Sequence, residues 1–299
     1  MPLTKICAAF AILAAASLTF AARDARAQNP SLAVGPQYGT VHVYVGPGEL
    51  EHFTNSLVAT FGGSKMQALA VTVTPTPSET LWQAVVTPVG SFSAFGFKTP
   101  IPYPFGRERT GYLVSDFDAA VTSAKTNHAD IVVAPFPDPI GRDVIVVWPG
   151  GVSMQLYWHN TPPHAPPLHS VPDNRVYISP DRTDEFVRDY GAFAQAKVIS
   201  DDGNAPGIEI GQPNDSYRRV QMESQFGKIT VLATDGHLPY PYGHEITGYG
   251  VDDLADTLAK AKAAGVTVVA APYDAGGRRA AMVQFPGGFI AEIHSGATQ

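Results

Sequence analysis

Cysteine is nearly absent: Cys7 is the only one in 299 residues. It lies in an N-terminal segment expected to be removed, so the mature chain should have no disulfide, thiolate nucleophile or thiolate metal site. Charge is sparse too, at 16% of residues with a net charge of -7, which gives a nucleic-acid partner no electrostatic support. After residue 20 no apolar run approaches membrane length, so no membrane partner is expected once the leader is gone. The chain also lacks a Gly-rich phosphate loop, a nucleophile elbow and a zinc-protease helix. What is present is an ordinary globular composition, 44% hydrophobic, with 28 Gly and 26 Pro. That suits many short strands and turns better than a helical bundle.

The first 27 residues read as a secretory signal. Lys5 supplies a positive start, Ile6 to Phe20 an apolar run too short for a comfortable span, and Ala25-Arg26-Ala27 a small-x-small cleavage site. Cleavage before Gln28 predicts a periplasmic or secreted protein. It leaves 17 basic and 26 acidic residues.

An internal repeat organises the remainder. Residues 102–116, PYPFGRERTGYLVSD, match residues 239–253, PYPYGHEITGYGVDD, at ten of fifteen positions without a gap, at an offset of 137. The offset persists: Val132-Val133-Ala134-Pro135 faces Val269-Ala270-Ala271-Pro272, and Trp148-Pro149-Gly150-Gly151 faces Phe285-Pro286-Gly287-Gly288. The mature chain is therefore a duplication.

Within each copy the local signals agree. Asp253 is a plausible N-cap and Gly265 a helix stop, with Leu254, Leu258 and Ala261 at helical spacing between them. Thr247, Tyr249 and Val251 alternate ahead of that helix, and three apolar runs follow it, beginning at Thr267, Ala280 and Phe289. The order is strand, helix, then three strands, and it recurs from Arg109 to His159. A second, more diverged unit precedes each. Val41, Val43 and Val45 lead into a helix over 48–60, with strands near 66–74, 80–87 and 91–97. Val176 and Ile178 lead into a helix capped by Ser179 and opened by Pro180, with strands near 197–200, 217–222 and 229–233. The Pro-rich stretch 161–172 reads as a stiff linker between domains at 38–160 and 173–296.

Four βαβββ units in two pairs, an α+β architecture, resemble the vicinal oxygen chelate superfamily of glyoxalases, bleomycin-resistance proteins and extradiol dioxygenases. The resemblance covers about residues 38–296. Its specific elements are Val251-Asp252-Asp253-Leu254, the helix end Ala261-Lys262-Ala263-Ala264-Gly265, and Phe285-Pro286-Gly287-Gly288 leading to Glu292. It implies two pseudo-equivalent domains, each a sheet rolled into a cup, often with a divalent metal at its base.

Alternation along the strands sorts residues between the helix side and the cup side. It places His42, Tyr44, Arg107, Arg109, Gln155, Tyr157 and His159 in the first cup. It places Asp173, Arg175, Tyr177, His244, Glu292 and His294 in the second. The resemblance puts Glu292 at the family carboxylate position, with Gln155 as its counterpart. The family histidine position holds Ile246 in one copy and Arg109 in the other.

Three readings follow, the last a structural or accessory protein that kept the fold after losing its sites. In the first, His244, Glu292 and His294 bind Fe, Mn, Zn or Ni, and Glu292, His244 and Tyr177 carry lyase, isomerase or dioxygenase chemistry on a small oxygen-rich or aromatic molecule. Substrate would then meet His42, Tyr44, Arg107, Arg109, Gln155, Tyr157 and Arg175. In the second there is no metal: Glu292 pairs with Arg175, and the cups bind a small molecule, as in the bleomycin-resistance branch. Arg107 and Arg109 over neutral Gln155 favour an anion in the first cup, unless one of them pairs with Glu108. The aromatic-proline loops 101–105 and 238–242 are either ligand rims or stiff crossovers. His159, His164 and His169 are either a metal-scavenging cluster or solvated linker residues.

Overall fold

The computed structural model describes residues 31–161, 163–239 and 245–296. The expected signal segment and His244 lie outside the described residues. The first module holds β1 (Thr40–Val45), α1 (Leu50–Phe61), β2 (Ser64–Lys65), β3 (Leu69–Val71), β4 (Thr80–Thr87) and β5 (Gly90–Phe97). The second holds β6 (Arg109–Leu113), α2 (Phe117–Thr126), β7 (Asp130–Asp138), β8 (Gly141–Trp148) and β9 (Val152–His159). In the third are β10 (Asp173–Ile178), α3 (Pro180–Ala194), β11 (Lys197–Pro206), β12 (Ser216–Ser224) and β13 (Gly227–Ala233). The fourth has β14 (Glu245–Gly250), α4 (Leu254–Ala263), β15 (Thr267–Ala275), β16 (Arg278–Gln284) and β17 (Ile290–Ser295).

The repeat extends to the helix caps. Asp116 accepts a hydrogen bond from the Ala119 amide at 3.0 Å, and Asp253 accepts one from Asp256 at the same distance. Each satisfies an amide that the first helical turn would leave bare. Gly265 follows α4 with φ of 85°, a left-handed stop that costs glycine little. Ser179 departs from expectation. Its backbone is extended as an N-cap requires, but its side chain makes no cap bond, and α3 starts on Pro180 instead. Of the strand expected over 66–74 only the short β3 forms, paired to β4, with the two-residue β2 just ahead of it pairing to the same strand.

Modules one and two form one sheet, ordered β2-β4-β5-β1-β6-β9-β8-β7, and modules three and four the other, ordered β11-β12-β13-β10-β14-β17-β16-β15. In every module the first strand pairs in parallel with the last, and the two first strands of a sheet pair antiparallel at its centre. The helix-bearing faces of the two sheets share their cores. Val41, Val43 and Phe92 of module one pack with Tyr249, Phe285, Phe289 and Ile293 of module four. Trp148 and Leu156 of module two pack with Phe186, Tyr190 and Phe193 of module three. The concave faces therefore point away from each other. The linker is strapped down between the halves: the Tyr38 hydroxyl donates to the Pro163 carbonyl at 3.0 Å, and the His169 amide donates to Pro88 at 2.8 Å. No helix among the described residues is long and apolar enough to cross a membrane.

Candidate functional site

The first concave face is built around one guanidinium. Arg109, on the central strand β6, is 1% exposed. Its Nη2 donates to the Tyr44 hydroxyl at 2.6 Å, its Nε to Gln155 Oε1 at 3.4 Å, and its Nη1 to the Arg107 carbonyl at 3.1 Å. Its Cζ lies 5.6 Å from the Tyr44 ring centre and 5.5 Å from that of Phe105. No carboxylate forms an ion pair with it among the described residues. His42 faces Arg109 across the strand pair and hydrogen-bonds the Thr40 carbonyl through Nδ1 at 3.1 Å. Burial, then the Arg109 charge, pushes the His42 imidazole down to about 3, so it is neutral at physiological pH. The room for it comes from Gly111, where a Cβ would lie 2.5 Å from His42 Cε1.

Aromatic rings wall this face. Tyr44 and His42 both stack on Phe95, and Phe97 tilts against Tyr44. Trp82 lies opposite Phe95 on the same face. Tyr157 donates its hydroxyl to the Tyr38 carbonyl at 2.5 Å, and His159 rests on its ring. Tyr44, Trp82 and Phe105 are half-buried, so solvent reaches the wall. One acid is present. Asp143, opposite Tyr157, is buried, and burial followed by the nearby Asp138 charge raises it to about 8, against the opposing pull of Gln155 and Arg109. It is largely neutral at pH 7.

The Arg107 side chain is not part of this cluster. It precedes β6 and donates through Nη2 to the Gly151 carbonyl at 2.5 Å, beside the β8–β9 turn. Neither arginine pairs with Glu108 among the described residues.

The second concave face is arranged differently. Glu292 is fully buried, and its carboxylate is taken by two arginines: Arg175 Nη1 at 2.9 Å and Arg278 Nη1 at 2.8 Å, with Arg278 Nη2 at 3.1 Å. His294 Nδ1 lies 3.1 Å from Oε1, and the Tyr273 hydroxyl donates to Oε2 at 3.3 Å. Burial opposes ionisation of Glu292, but the two guanidinium groups and His294 outweigh it and hold the carboxyl well below the usual range. Asp173 is engaged elsewhere, with both oxygens accepting from the Thr230 hydroxyl at 2.9 Å. Tyr177 is buried in an apolar cluster with Ile210, Tyr217, Leu232, Ile246, Met282 and Ile290, and burial raises its hydroxyl pKa. Glu209, from a 3-10 turn after β11, is fully buried and bonded by Tyr217 and Arg219. Among the described residues, the charged side chains of this cup are engaged by one another.

Strand parity could have revealed Trp82, Phe95, Phe97 and Asp143, all on strands the sequence marks. Tyr273 and Arg278 escape because one apolar run stops at Ala270 and the next starts at Ala280, although both residues belong to the strands, β15 and β16, that extend those runs. Arg278 has the parity of Ala280 and Met282.

No protein-family model matches the sequence, and no curated protein matches it. Solved structures do. A triple mutant of 4-hydroxymandelate synthase from Streptomyces coelicolor matches with a TM-score of 0.61 at 13% identity, over 91% of this chain and 95% of that one. The chain has the vicinal oxygen chelate fold. The Mn(II)-bound glyoxalase from Novosphingobium aromaticivorans matches at 0.51 and 15% identity, over 89% of this chain and 83% of its own. The 2,3-dioxygenase LapB from Pseudomonas sp. KL28 matches at 0.52 and 12%, over 89% and 93%.

A vicinal oxygen chelate cup with a metal needs free carboxylate and imidazole donors at its base. The described residues do not fit one, and His244 lies outside them. Both lone-pair-bearing oxygens of Glu292 face guanidinium groups, and His294 Nδ1 is turned onto the same carboxylate. In the first cup Gln155 is neutral and Arg109 supplies the positive charge. Among the described residues no group of three or more His, Cys, Asp or Glu converges as a metal would require, and His169 of the linker pairs with Asp252 at 2.9 Å.

Proposed function

We propose that this is an exported vicinal oxygen chelate protein that binds a small, planar, anionic molecule in its first cup without a metal ion. The observation that carries the reading is Arg109: a buried guanidinium between aromatic rings, with three neutral hydrogen-bond partners and no ion-pair partner among the described residues. Burying an unpaired charge is costly, and an incoming carboxylate or enolate would relieve that cost through charge-assisted hydrogen bonds. Trp82, Tyr44, Phe95 and Phe105 supply faces against which a flat ring packs.

A second reading, an enzyme that moves a proton, is favoured by Asp143. A carboxyl titrating near 8 beside a fixed cation can take or give a proton at working pH, while Arg109 and Tyr44 stabilise the oxyanion that forms.

The test of the main reading is titration of the purified protein with benzoate-type carboxylates and with the matching neutral amides, followed by Trp82 fluorescence. Saturable binding of the acids alone, lost in Arg109→Met, supports it. Equal binding of acid and amide, or undiminished binding by Arg109→Met, overturns it. Solvent deuterium uptake at the carbon next to the carboxylate of a bound ligand, lost in Asp143→Asn, would favour the enzyme.

A further inference from the structure

The concave faces of the two sheets differ most in their outer halves. Strand pairing lines the side chains up in rows that cross the sheet. In the first sheet one row runs Arg109, His42, Ser93, Ala84. Met66 ends it, with its amide donating to the Ala84 carbonyl at 3.0 Å. The next row along the strands runs Tyr44, Phe95, Trp82, Leu69. Neighbouring rows lie about 6.7 Å apart, because two residues separate them on each strand. Directly paired residues point to one face, so both rows share the concave side with His42 and Tyr44.

The second sheet has equivalent rows and fills them with polar groups. The repeat offset carries Ser93 onto Thr230, Ala84 onto Gln221 and Trp82 onto Arg219. Pairing then sets Ser200 where the first sheet has Met66, and Asp202 where it has Leu69. Arg219 forms ion pairs with Glu209 and, at 3.8 Å, with Asp202. The first sheet has no such closure. Ser93 and Ala84 are small and only half-buried. Met66, Leu69 and Val86, which lies opposite Ser91 in the row beyond Ala84, are 37%, 43% and 41% exposed. Apolar side chains grouped and bare on one face mark a surface that something covers. One copy thus has a low apolar lane from the guanidinium to the sheet edge, and the other has ion pairs in its place.

We infer that the anion held by Arg109 carries an apolar arm, and that this arm lies in the lane over Ser93 and Ala84, between Trp82 and Val86, with its end at Met66. The inference rests on Arg109 as the anion site and narrows the ligand class to planar acids bearing an unbranched aliphatic chain. Four strand spacings separate Arg109 from Met66, about 19 Å along the sheet. A single aromatic ring covers well under half of that. The small floor residues leave depth for a chain, Trp82 offers it contact, and the flexible thioether of Met66 adapts to its end. Charge fixes one end of the ligand, and burial of apolar surface holds the rest.

The test is a series of para-alkylbenzoates, from unsubstituted to octyl, titrated calorimetrically below their micellar concentrations. Affinity should rise about twofold per methylene, half the free energy of burying one fully, because the chain keeps one side in water. Ala84→Trp should erase the gain with chain length. Met66→Glu, a change at an exposed site, should lower octyl affinity relative to ethyl by about fivefold, and it decides the matter if Ala84→Trp does not fold. Arg109→Met should weaken every member of the series. Affinity independent of chain length, with benzoate still bound, overturns the arm alone. Failure of benzoate and octylbenzoate alike overturns the anion site and the arm with it. A chain-length gain that persists in every folded lane variant puts the chain elsewhere and overturns the lane.

Discussion

Arg109 and Arg175 place a guanidinium at the base of their cups from non-equivalent strands. In the first sheet β1 and β6 set His42 opposite Arg109, and in the second β10 and β14 set Arg175 opposite Ile246. The arginine has changed strands across one register pair. In both cups it meets the residue at the carboxylate position, Gln155 or Glu292, so a fixed organic cation stands where the fold elsewhere can hold a metal.

Breaking the second cluster should be costly. Glu292→Gln leaves Arg175 and Arg278 buried without a counter-charge, which typically destabilises by about 3–5 kcal/mol. Urea denaturation at pH 7 measures it. Because the folded state lowers this carboxyl, its contribution is present above the unfolded value near 4.5 and is lost as pH falls below it.

Glu245 should act in the opposite direction. Burial raises it to about 7, so its neutral form suits the fold. Stability is full below the unfolded value near 4.5 and declines as pH rises to about 7, above which it levels off. Glu245→Gln should be more stable than wild type at pH 8, by an order of about 3 kcal/mol, and nearly equal at pH 4. Parallel thermal melts across that range would show it.

Ligand binding in the first cup should fall as pH rises through about 8. Ionised Asp143 then becomes an internal counter-ion to Arg109 and competes with the bound anion. Asp143→Asn should flatten the profile, whereas His42→Phe should not introduce or remove a step between pH 5 and 7, since His42 is neutral throughout. The readout is the dissociation constant for an aromatic carboxylate at each pH.

Arg109→Lys should recover only part of what Arg109→Met loses. A lysine restores charge, but not the flat, forked group held between the Tyr44 and Phe105 rings. A dissociation constant for Arg109→Lys equal to wild type would argue that the aromatic stacking is incidental.

Much of this arrangement was legible beforehand because an ungapped repeat and strand parity are properties of sequence alone. They separate Val41 and Val43 from His42 and Tyr44, and they put Arg109 and Gln155 on one face. They also bring Glu292 and Arg175 to one cup, with their pairing as one of two readings. Parity fails where a residue is not in a strand, as with Arg107. Partners from outside an apolar run, such as Arg278 and Tyr273, are invisible to it. The fate of Glu292 turned on such a partner: a second guanidinium turns a donor for metal into a closed ion cluster.

The shared cores have a consequence for how the chain is made. Val43 finds its packing partners in Ile293 and Phe289, roughly 250 residues later. Until the last module is synthesised, the first sheet carries an uncovered apolar face, and half a chain is no shelter for it. Although the sequence is two copies of one theme, each copy leaves half its core to the other, so neither is expected to survive as a separate inheritance.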